Sequence, residues 1–427
     1  MRGHRRDFQR SRPPRPQLRE LEVLRVGTQG DGVAEGPVYL PFTLPGERVR
    51  AAVQAGRGEV TEVLAPSSER QTPPCPHFHA CGGCALQHWA EPGYLAWKAN
   101  LIREALSREE LETEILAPVA SAPGSRRRLA LHARPGGEGE ARLGYKARGS
   151  WTLVDIEVCP IADPRLVEAF PALRRLAAAF LEHPRSAPTL HVTWTETGLD
   201  VDVTGVERRT GGLSGDARLR AAEAAQAAGL ARVTLAGETV YQARRPLVRF
   251  GQAVVALPPG GFLQATAEAE QAMAAFVVES TDGADRVADL FCGAGTFALR
   301  LAERSQVLAA DASAEAISAL AEALGSTPGL RQITAEARDL FRRPVLAQEL
   351  KGVQAVVFDP PRAGAEAQAG QIAASGAARV IGVSCNPATF ARDARILVAG
   401  GFALERVLPV DQFLWSPHVE LVGVFGR

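Results

Sequence analysis

The sequence predicts an α/β protein built in several parts, and three observations carry that prediction. From about residue 262, strand-like runs at 286–291, 306–310, 353–358 and 379–384 alternate with helical stretches, the pattern of a parallel sheet with helices on both faces. Between Leu21 and Leu64, short alternating runs are broken by Gly30-Asp31-Gly32, Glu35-Gly36-Pro37 and Leu44-Pro45-Gly46-Glu47, the rhythm of a small β-barrel or sandwich. A chain of 427 residues also exceeds what one hydrophobic core supports.

Taken in order, residues 1–17 are rich in Arg, Pro, Gln and Ser and read as a disordered basic tail. Residues 18–66 form the barrel, and a proline-rich joint from Pro66 to Pro76 leads into a cysteine cluster and a helix at 92–111, the segment 67–117. Residues 118–260 mix strands (Leu129–Ala133, Thr152–Ile156, Leu190–Thr195, Leu199–Val203) with Ala-rich helices at 166–182 and 217–228. That α+β segment carries no catalytic motif, so a substrate-holding role follows from its position. Residues 261–427 hold the parallel sheet. Its two last runs, Leu404–Val410 and Val419–Phe425, have no helix between them and predict an antiparallel hairpin closing the sheet edge.

Net charge is zero, from 48 Lys and Arg against 48 Asp and Glu, so only its distribution is informative. Residues 1–20 hold seven Arg against Asp7 and Glu20, and residues 121–150 hold seven Arg or Lys against Glu138 and Glu140. Such patches can grip phosphates on a neutral protein. No apolar run approaches a membrane span, and the Arg-rich N-terminus lacks the apolar core of a secretory signal, which points to the cytoplasm. In that compartment the six cysteines, at 75, 81, 84, 159, 292 and 385, are ligands or nucleophiles rather than disulfides.

Four motifs carry chemistry. Asp289-Leu290-Phe291-Cys292-Gly293-Ala294-Gly295 runs a strand into a tight glycine turn and a helix, Phe297–Glu303, where backbone can approach a nucleotide cofactor. Asp311 ends the next strand, placed to bind ribose hydroxyls. The dinucleotide fingerprint needs a third glycine that Phe297-Ala298 does not supply, which turns the reading from NAD toward S-adenosylmethionine. Asp359-Pro360-Pro361-Arg362 fixes a carboxylate above the sheet, and Arg362 stands where enzymes that methylate exocyclic amines carry an aromatic residue. Ser384-Cys385-Asn386-Pro387 puts a thiol at a strand's carboxyl edge before a polar helix, Phe390–Arg395, whose N-terminus favours a thiolate. A methyl acceptor that needs a thiolate is an unreactive ring carbon. Thiolate addition to uracil C6 loads electron density on C5, and after methylation a base must remove the C5 proton. Glu420 is the candidate. Finally, Cys75, Cys81, Cys84 and distant Cys159 form a four-thiol set with His77 and His79 between the first two. That spacing reads as a metal site, iron–sulfur or zinc, with a redox-active disulfide pair as a weaker alternative.

Together with Cys81-Gly82-Gly83-Cys84-Ala85-Leu86-Gln87-His88, Leu143-Gly144-Tyr145 through Cys159-Pro160, and Phe262-Leu263-Gln264, these motifs resemble the RNA uracil-C5 methyltransferases. The resemblance runs from about residue 18 onward. It is strongest to the subgroup with an N-terminal TRAM module and a four-iron–four-sulfur cluster, the large-subunit (23S) ribosomal RNA type. It implies a Rossmann-like S-adenosylmethionine methyltransferase domain at 261–427, a TRAM, OB-like barrel, a central RNA-binding domain and a monomeric enzyme. It also implies a [4Fe–4S] cluster on Cys75, Cys81, Cys84 and Cys159, and cofactor contacts at Gln264, Phe291, Thr296, Asp311, Asp339 and Asp359. Asp359 would also face the uracil, Cys385 would be the nucleophile, Glu420 the base and Cys292 a packing residue. The barrel and the segment Arg126-Arg127-Arg128 would hold the RNA while the target uridine is splayed out of its loop.

Three positions depart from the family pattern: Thr266 for Asn, Asp311 for Glu and Thr296 for Asn. Two other readings stand beside the first. One is a transfer RNA T-loop methyltransferase of the same chemistry, disfavoured because its bacterial form usually lacks the barrel and the four cysteines. The other is a non-catalytic RNA-binding or redox-sensing protein, against which intact Cys385, Glu420 and Asp359 count.

Overall fold

The computed structural model describes residues 15–137, 139–207 and 212–427. The expected basic tail lies outside them except for residues 15–17, and Gln17 already opens the first strand. The chain divides into two compact units, residues 1–73 with 85–94, and residues 74–84 with 95–427.

In the first unit, β1 (Gln17–Val26), β2 (Gly32–Ala34), β3 (Val38–Leu40), β4 (Arg48–Gln54) and β5 (Arg57–Ala65) close a barrel in the order β1-β2-β3-β5-β4. Period-two alternation turns Leu21, Val23, Ala34, Val38, Leu40, Val49 and Ala51 inward, and closure leaves no open sheet edge. The buried Glu47 carboxylate accepts from the Leu44 N–H (2.8 Å), the Ser67 N–H (3.1 Å) and the Arg70 guanidinium (2.7 Å). One acid thereby ties the strand β4 entry to the chain leaving the barrel. Helix α1 (Glu91–Arg108) then starts, one residue earlier and three shorter at its end than its sequence pattern predicts.

Among the described residues, the second unit holds two large sheets and one of two strands. The central one is mostly antiparallel, in the order β13-β12-β11-β10-β7-β8-β9. Its strands are β7 (Arg128–Pro135), β8 (Ala141–Lys146), β9 (Leu153–Asp155), β10 (Thr189–Thr195), β11 (Gly198–Thr204), β12 (Arg232–Leu235) and β13 (Glu238–Gln242), all following the two-residue β6 (Glu114–Ile115). Leu129, Leu131, Leu143, Leu190, Val192, Val201 and Val203 form a core with Leu173, Leu176, Ala217 and Ala221 of the helices. The predicted helix 166–182 is two helices, α2 (Pro164–Glu168) and α3 (Phe170–Ala179), because Pro171 has no N–H to continue the first and suits the opening turn of the second. The third is α4 (Gly215–Ala227). A hairpin, β14 (Leu247–Phe250) and β15 (Ala253–Ala256), leads to helix α5 (Ala267–Ser280).

The second sheet has the order β18-β17-β16-β19-β20-β22-β21-β6. Strands β16 (Arg286–Leu290), β17 (Gln306–Asp311), β18 (Ile333–Ala337), β19 (Ala355–Phe358) and β20 (Arg379–Ser384) are parallel; α6 (Ala298–Leu301), α7 (Ala314–Ser326) and α8 (Glu366–Ala373) fall between them, and α9 (Pro387–Ala399) follows β20. The central strands β16, β19 and β20 are almost wholly buried, as covered faces require, whereas β18 at the edge is largely exposed. The expected hairpin exists as β21 (Ala403–Val410) and β22 (Glu420–Gly426), but it does not close the edge. Strand β22 inserts antiparallel beside β20, and β6 adds outside β21. Two residues far upstream carried no legible strand signal. The strand order reverses between β16 and β19, so their carboxyl ends splay apart and open a crevice there.

Candidate active site

The crevice is a cavity of about 870 Å³ above the carboxyl ends of β16, β17, β19 and β20. On one side the chain leaves β16 through Phe291, Gly293 and Gly295, all at positive φ (62°, 54° and 98°). A Cβ at Gly295 would lie 2.5 Å from Leu320 Cδ1, so glycine lets the turn pack against α7. The Gly293 N–H donates to Asp311 Oδ2 at 3.0 Å, and the Ser313 N–H to Oδ1 at 2.8 Å. A short acid at the end of β17 therefore holds the glycine turn open. The Phe291 and Phe341 rings stand 5.6 Å apart at this end of the cavity.

At the other end stand Cys385, Asp359, Glu420, Gln264 and Gln412. Cys385 follows β20 and precedes α9, whose N-cap is Asn386 and first residue Pro387, three residues before the predicted start. The helix is seated by Phe390, which packs over the cross-strand pair Gly382 and Gly423; a Cβ at Gly423 would lie 2.3 Å from the ring. Burial, then the charges of Glu420 and Asp359, push the thiol up to about 11, against the pull of Arg362. The helix N-terminus expected to favour a thiolate does follow Cys385, and burial works against it.

The carboxylates are themselves displaced. Burial raises Asp359 to about 7, with Gln264 opposing and Asp311 adding to the rise. Burial and the Asp359 charge hold Glu420 well above the ordinary carboxyl range, with Gln412 opposing. A chain of hydrogen bonds joins these groups. Gln412 Nε2 donates to Glu420 Oε2 (2.7 Å) and to Gln264 Oε1 (2.8 Å), and Gln264 Nε2 donates to Asp359 Oδ2 (3.2 Å). Beneath the glycine turn, burial and then the Asp359 charge also raise Asp289 well above the ordinary carboxyl range.

Gln412 escaped the sequence reading, as did Lys98. The buried Lys98 ammonium donates to Asp411 Oδ1 (2.6 Å), to the Phe413 carbonyl (3.3 Å) and to the His418 carbonyl. It staples α1 to the loop that carries Gln412 and leads to Glu420. No local pattern announces a pairing across 313 residues.

The expected residues distribute as follows. Gln264, Phe291, Asp311, Asp359, Cys385 and Glu420 line the one cavity, whereas Thr296 and Asp339 are not among its lining residues. Asp339 instead accepts from the Phe341 N–H at 3.0 Å, leaving Leu340 and Phe341 to face the cavity. Thr266 is the N-cap of α5, its hydroxyl accepting from the Ala269 N–H (3.1 Å), a role Thr and Asn share. That accounts for one departure from the family pattern. Cys292 is buried in the core. Of the arginine triplet, Arg127 pairs with buried Glu270, Arg128 donates to the Leu263 carbonyl (2.6 Å), and Arg126 and Arg128 line the cavity. The triplet is not one basic surface patch, because the fold uses part of it internally.

Cys75, Cys81, Cys84 and Cys159 are all half-buried, and none of the four is in a disulfide. Cys81, Cys84 and Cys159 act on the buried Tyr145 phenol, and Cys75 and Cys81 act on Cys159, whose pKa burial raises to about 11. Among the described residues, however, no three His, Cys, Asp or Glu side chains converge to hold a metal ion. The expected cluster ligands are gathered without being closed around a centre.

The fold and cavity define a methyltransferase-like α/β domain with a thiol and two displaced acids facing its crevice, and comparison with known proteins agrees. A family model described as tRNA (uracil-5-)-methyltransferase matches residues 252–426. An RNA methyltransferase of Caulobacter vibrioides is 63% identical over 96% of this chain and 100% of its own length. The 23S rRNA (uracil(1939)-C(5))-methyltransferase RlmD of Chromohalobacter salexigens is 35% identical over 95% of this chain and 89% of its own. The chain belongs to the RNA (uracil-C5)-methyltransferase family and is an enzyme of that class. Among solved structures, the Pyrococcus abyssi tRNA (uracil-54, C5)-methyltransferase in complex with S-adenosyl-L-homocysteine shares the fold. Its TM-score is 0.70, with 21% identity and coverage of 95% of this chain and 99% of that one. A transfer RNA enzyme thus has this architecture almost end to end, so the barrel does not by itself separate the ribosomal from the transfer RNA reading. Among the described residues no helix is long and apolar enough to cross a membrane.

Proposed function

We propose that this enzyme methylates C5 of one uridine in 23S ribosomal RNA, in the cytoplasm and as a monomer, through a covalent adduct between Cys385 and uracil C6. The observation that carries the reading is the convergence of Cys385, Glu420 and Asp359 on one cavity with the glycine turn. S-adenosylmethionine supplies an electrophilic methyl group, and the turn at Phe291–Gly295, Asp311 and Phe341 fit an adenosine-bearing ligand. Cys385 gives its proton to water and its thiolate adds to C6, C5 of the resulting enolate takes the methyl group as S-adenosylhomocysteine leaves, Glu420 removes the C5 proton, and the C6–S bond breaks as the C5–C6 double bond returns. The raised Glu420 pKa makes its carboxylate a stronger base than a surface glutamate.

The ribosomal target is supported by the 35% identical RlmD relative across most of both chains. Transfer RNA is the second reading, favoured by the description of the family model and by the solved structure. The central domain and the barrel would hold the RNA. The deciding experiment is tritium release from transcripts labelled at uracil C5. Release from ribosomal RNA alone is expected; release from transfer RNA alone moves the target, and release from neither removes the reaction.

We also infer that the four thiols carry a [4Fe–4S] cluster. Their gathering around Tyr145 supports this, as does the Gly83 N–H donated to Cys81 Sγ at 3.4 Å, the kind of bond that supports cluster thiolates.

A further inference from the structure

The amides of Gln412 and Gln264 have only one self-consistent orientation. The Ala265 backbone N–H, which can only donate, reaches Gln412 Oε1 at 2.8 Å. That fixes Gln412 Nε2 as the end facing Glu420 Oε2 and Gln264 Oε1. Since Gln264 Oε1 is thereby an acceptor, its Nε2 is the end turned to Asp359 Oδ2. All three side chains of this chain from Ala265 through Gln412 and Gln264 to Glu420 are almost fully buried, so water does not offer an alternative partner. An amide is nearly symmetric in shape, and a glutamine left to itself turns to suit whatever it meets. Here a main-chain donor removes that freedom.

We propose that Gln412 is the residue that makes the pocket select uracil over cytosine, by locking Gln264 with its NH₂ group outward beside the Asp359 carboxylate. The inference rests on the uracil-C5 reading above and deepens it. A donor next to an acceptor complements the O4 and N3–H edge of uracil. Cytosine presents the reverse, an N4 amino donor beside an unprotonated N3 acceptor. To receive cytosine, Gln264 would have to rotate its amide by half a turn. It would then face Gln412 Nε2 with its own NH₂ and leave two buried donors opposed. The thiol chemistry does not discriminate, because C6 addition activates C5 of either base. Selection must therefore come from the hydrogen-bonding edge, where a mispaired buried group costs far more than a missing methylene. Gln412 is a positioning residue in this scheme: it contacts Gln264 and Glu420, and the base meets Gln264.

The test uses the full-length enzyme, S-adenosylmethionine and two transcripts, with 5-fluorouridine or 5-fluorocytidine at the target position. Fluorine at C5 cannot be removed as a cation, so the methylated adduct to Cys385 persists and is counted on a denaturing gel without any need for proton abstraction. The wild-type enzyme should trap the fluorouridine RNA and not the fluorocytidine RNA. Gln412→Met, similar in length but without polar atoms, should lower the ratio of the two trapping rates by about 10- to 100-fold. Gln412→Asn, too short to reach all three partners, should lower it by less while keeping the site polar, and it serves if the Met variant does not fold. Two folded variants that keep the wild-type ratio would overturn the proposal, whatever their absolute rates. Absence of a fluorouridine adduct with the wild-type enzyme would instead overturn the uracil-C5 reading itself.

Discussion

The cavity and the cysteine segment both gather reactive side chains from distant stretches of chain, yet they are completed in different ways. In the cavity, Glu420, Gln412, Gln264 and Asp359 satisfy one another by direct hydrogen bonds of 2.7–3.2 Å. In the cysteine segment, four thiols stand near one another with no three donors converging. Carboxylates and amides can preorganise among themselves, because each donor finds an acceptor within the chain. Reduced thiols do so less well, because S–H is a weak hydrogen-bond donor and sulfur a weak acceptor. The first region is therefore satisfied within the fold, and the second is the place to test for the proposed cluster.

The strongest way to break this comparison is to remove Cys385. Cys385→Ala should reduce turnover by at least about 10⁴-fold, measured by tritium release, while binding of S-adenosylmethionine, read by calorimetry, stays within about twofold of wild type. Turnover near the wild-type rate would take the thiol out of the chemistry. Next in size is Glu420→Gln, expected to slow turnover by about 10²–10⁴-fold and to let the RNA adduct accumulate on a denaturing gel. A slow variant without adduct would place Glu420 before the adduct forms rather than after it.

The cysteine side of the comparison is tested by composition. Protein purified without oxygen should be brown and hold about four irons per chain, by the cluster stoichiometry that four thiolate ligands imply. Cys159→Ser should lose the colour and lower the melting temperature, with a smaller effect on S-adenosylmethionine binding. Colourless, zinc-loaded wild-type protein would mean that the thiols close on a single ion.

These two regions were unequally legible in the sequence. Cys385, Asp359 and Asp311 sit at ends of apolar strands, where period and position together announce a site, and each was found from its local motif. Gln412 and Lys98 have no local motif: their partners lie 148 and 313 residues away, and only the folded sheet brings them together. The same is true of β6, whose two residues become an edge strand only because β21 presents an edge. The glycine pair at 382 and 423 was legible as two glycines but not as a seat for Phe390, since that role depends on the register of β20 against β22. Local chemistry could be read, whereas its wiring could not.

The wiring has a cost in stability that pH exposes. Asp359 has a folded pKa of about 7, raised from an ordinary carboxyl value of 3.8. The folded state therefore holds a proton there that the unfolded chain has released. Its contribution is fully present below pH 3.8 and is lost as pH rises toward 7. Asp359→Asn should remove this dependence and raise the stability of the RNA-free protein at pH 8 by up to about 4 kcal/mol, even as it abolishes activity. Denaturant melts at pH 5 and pH 8 that leave the difference between wild type and variant unchanged would show that Asp359 is not held neutral by burial.

The smallest effect belongs to the arginines beside the cavity, and it separates residues the fold has used from residues left for a ligand. Arg127 is engaged by buried Glu270, and Arg128 is held by the Leu263 carbonyl with its pKa lowered to about 10, chiefly by burial. Arg126 lines the cavity and bonds through Nε to the Arg128 carbonyl at 2.9 Å, an engagement that leaves its charge without an acidic partner in that bond. If Arg126 meets an RNA phosphate, Arg126→Ala should weaken RNA binding only several-fold, equally for all target sequences, and reduce the slope of log affinity against log salt by about 0.7–0.9. Arg127→Ala should leave that slope unchanged and lower stability instead, because it strands Glu270 with Arg300 alone. An unchanged slope for Arg126→Ala would place the phosphate grip elsewhere on the central sheet, and a changed slope for Arg127→Ala would mean that the ion pair with Glu270 opens when RNA arrives.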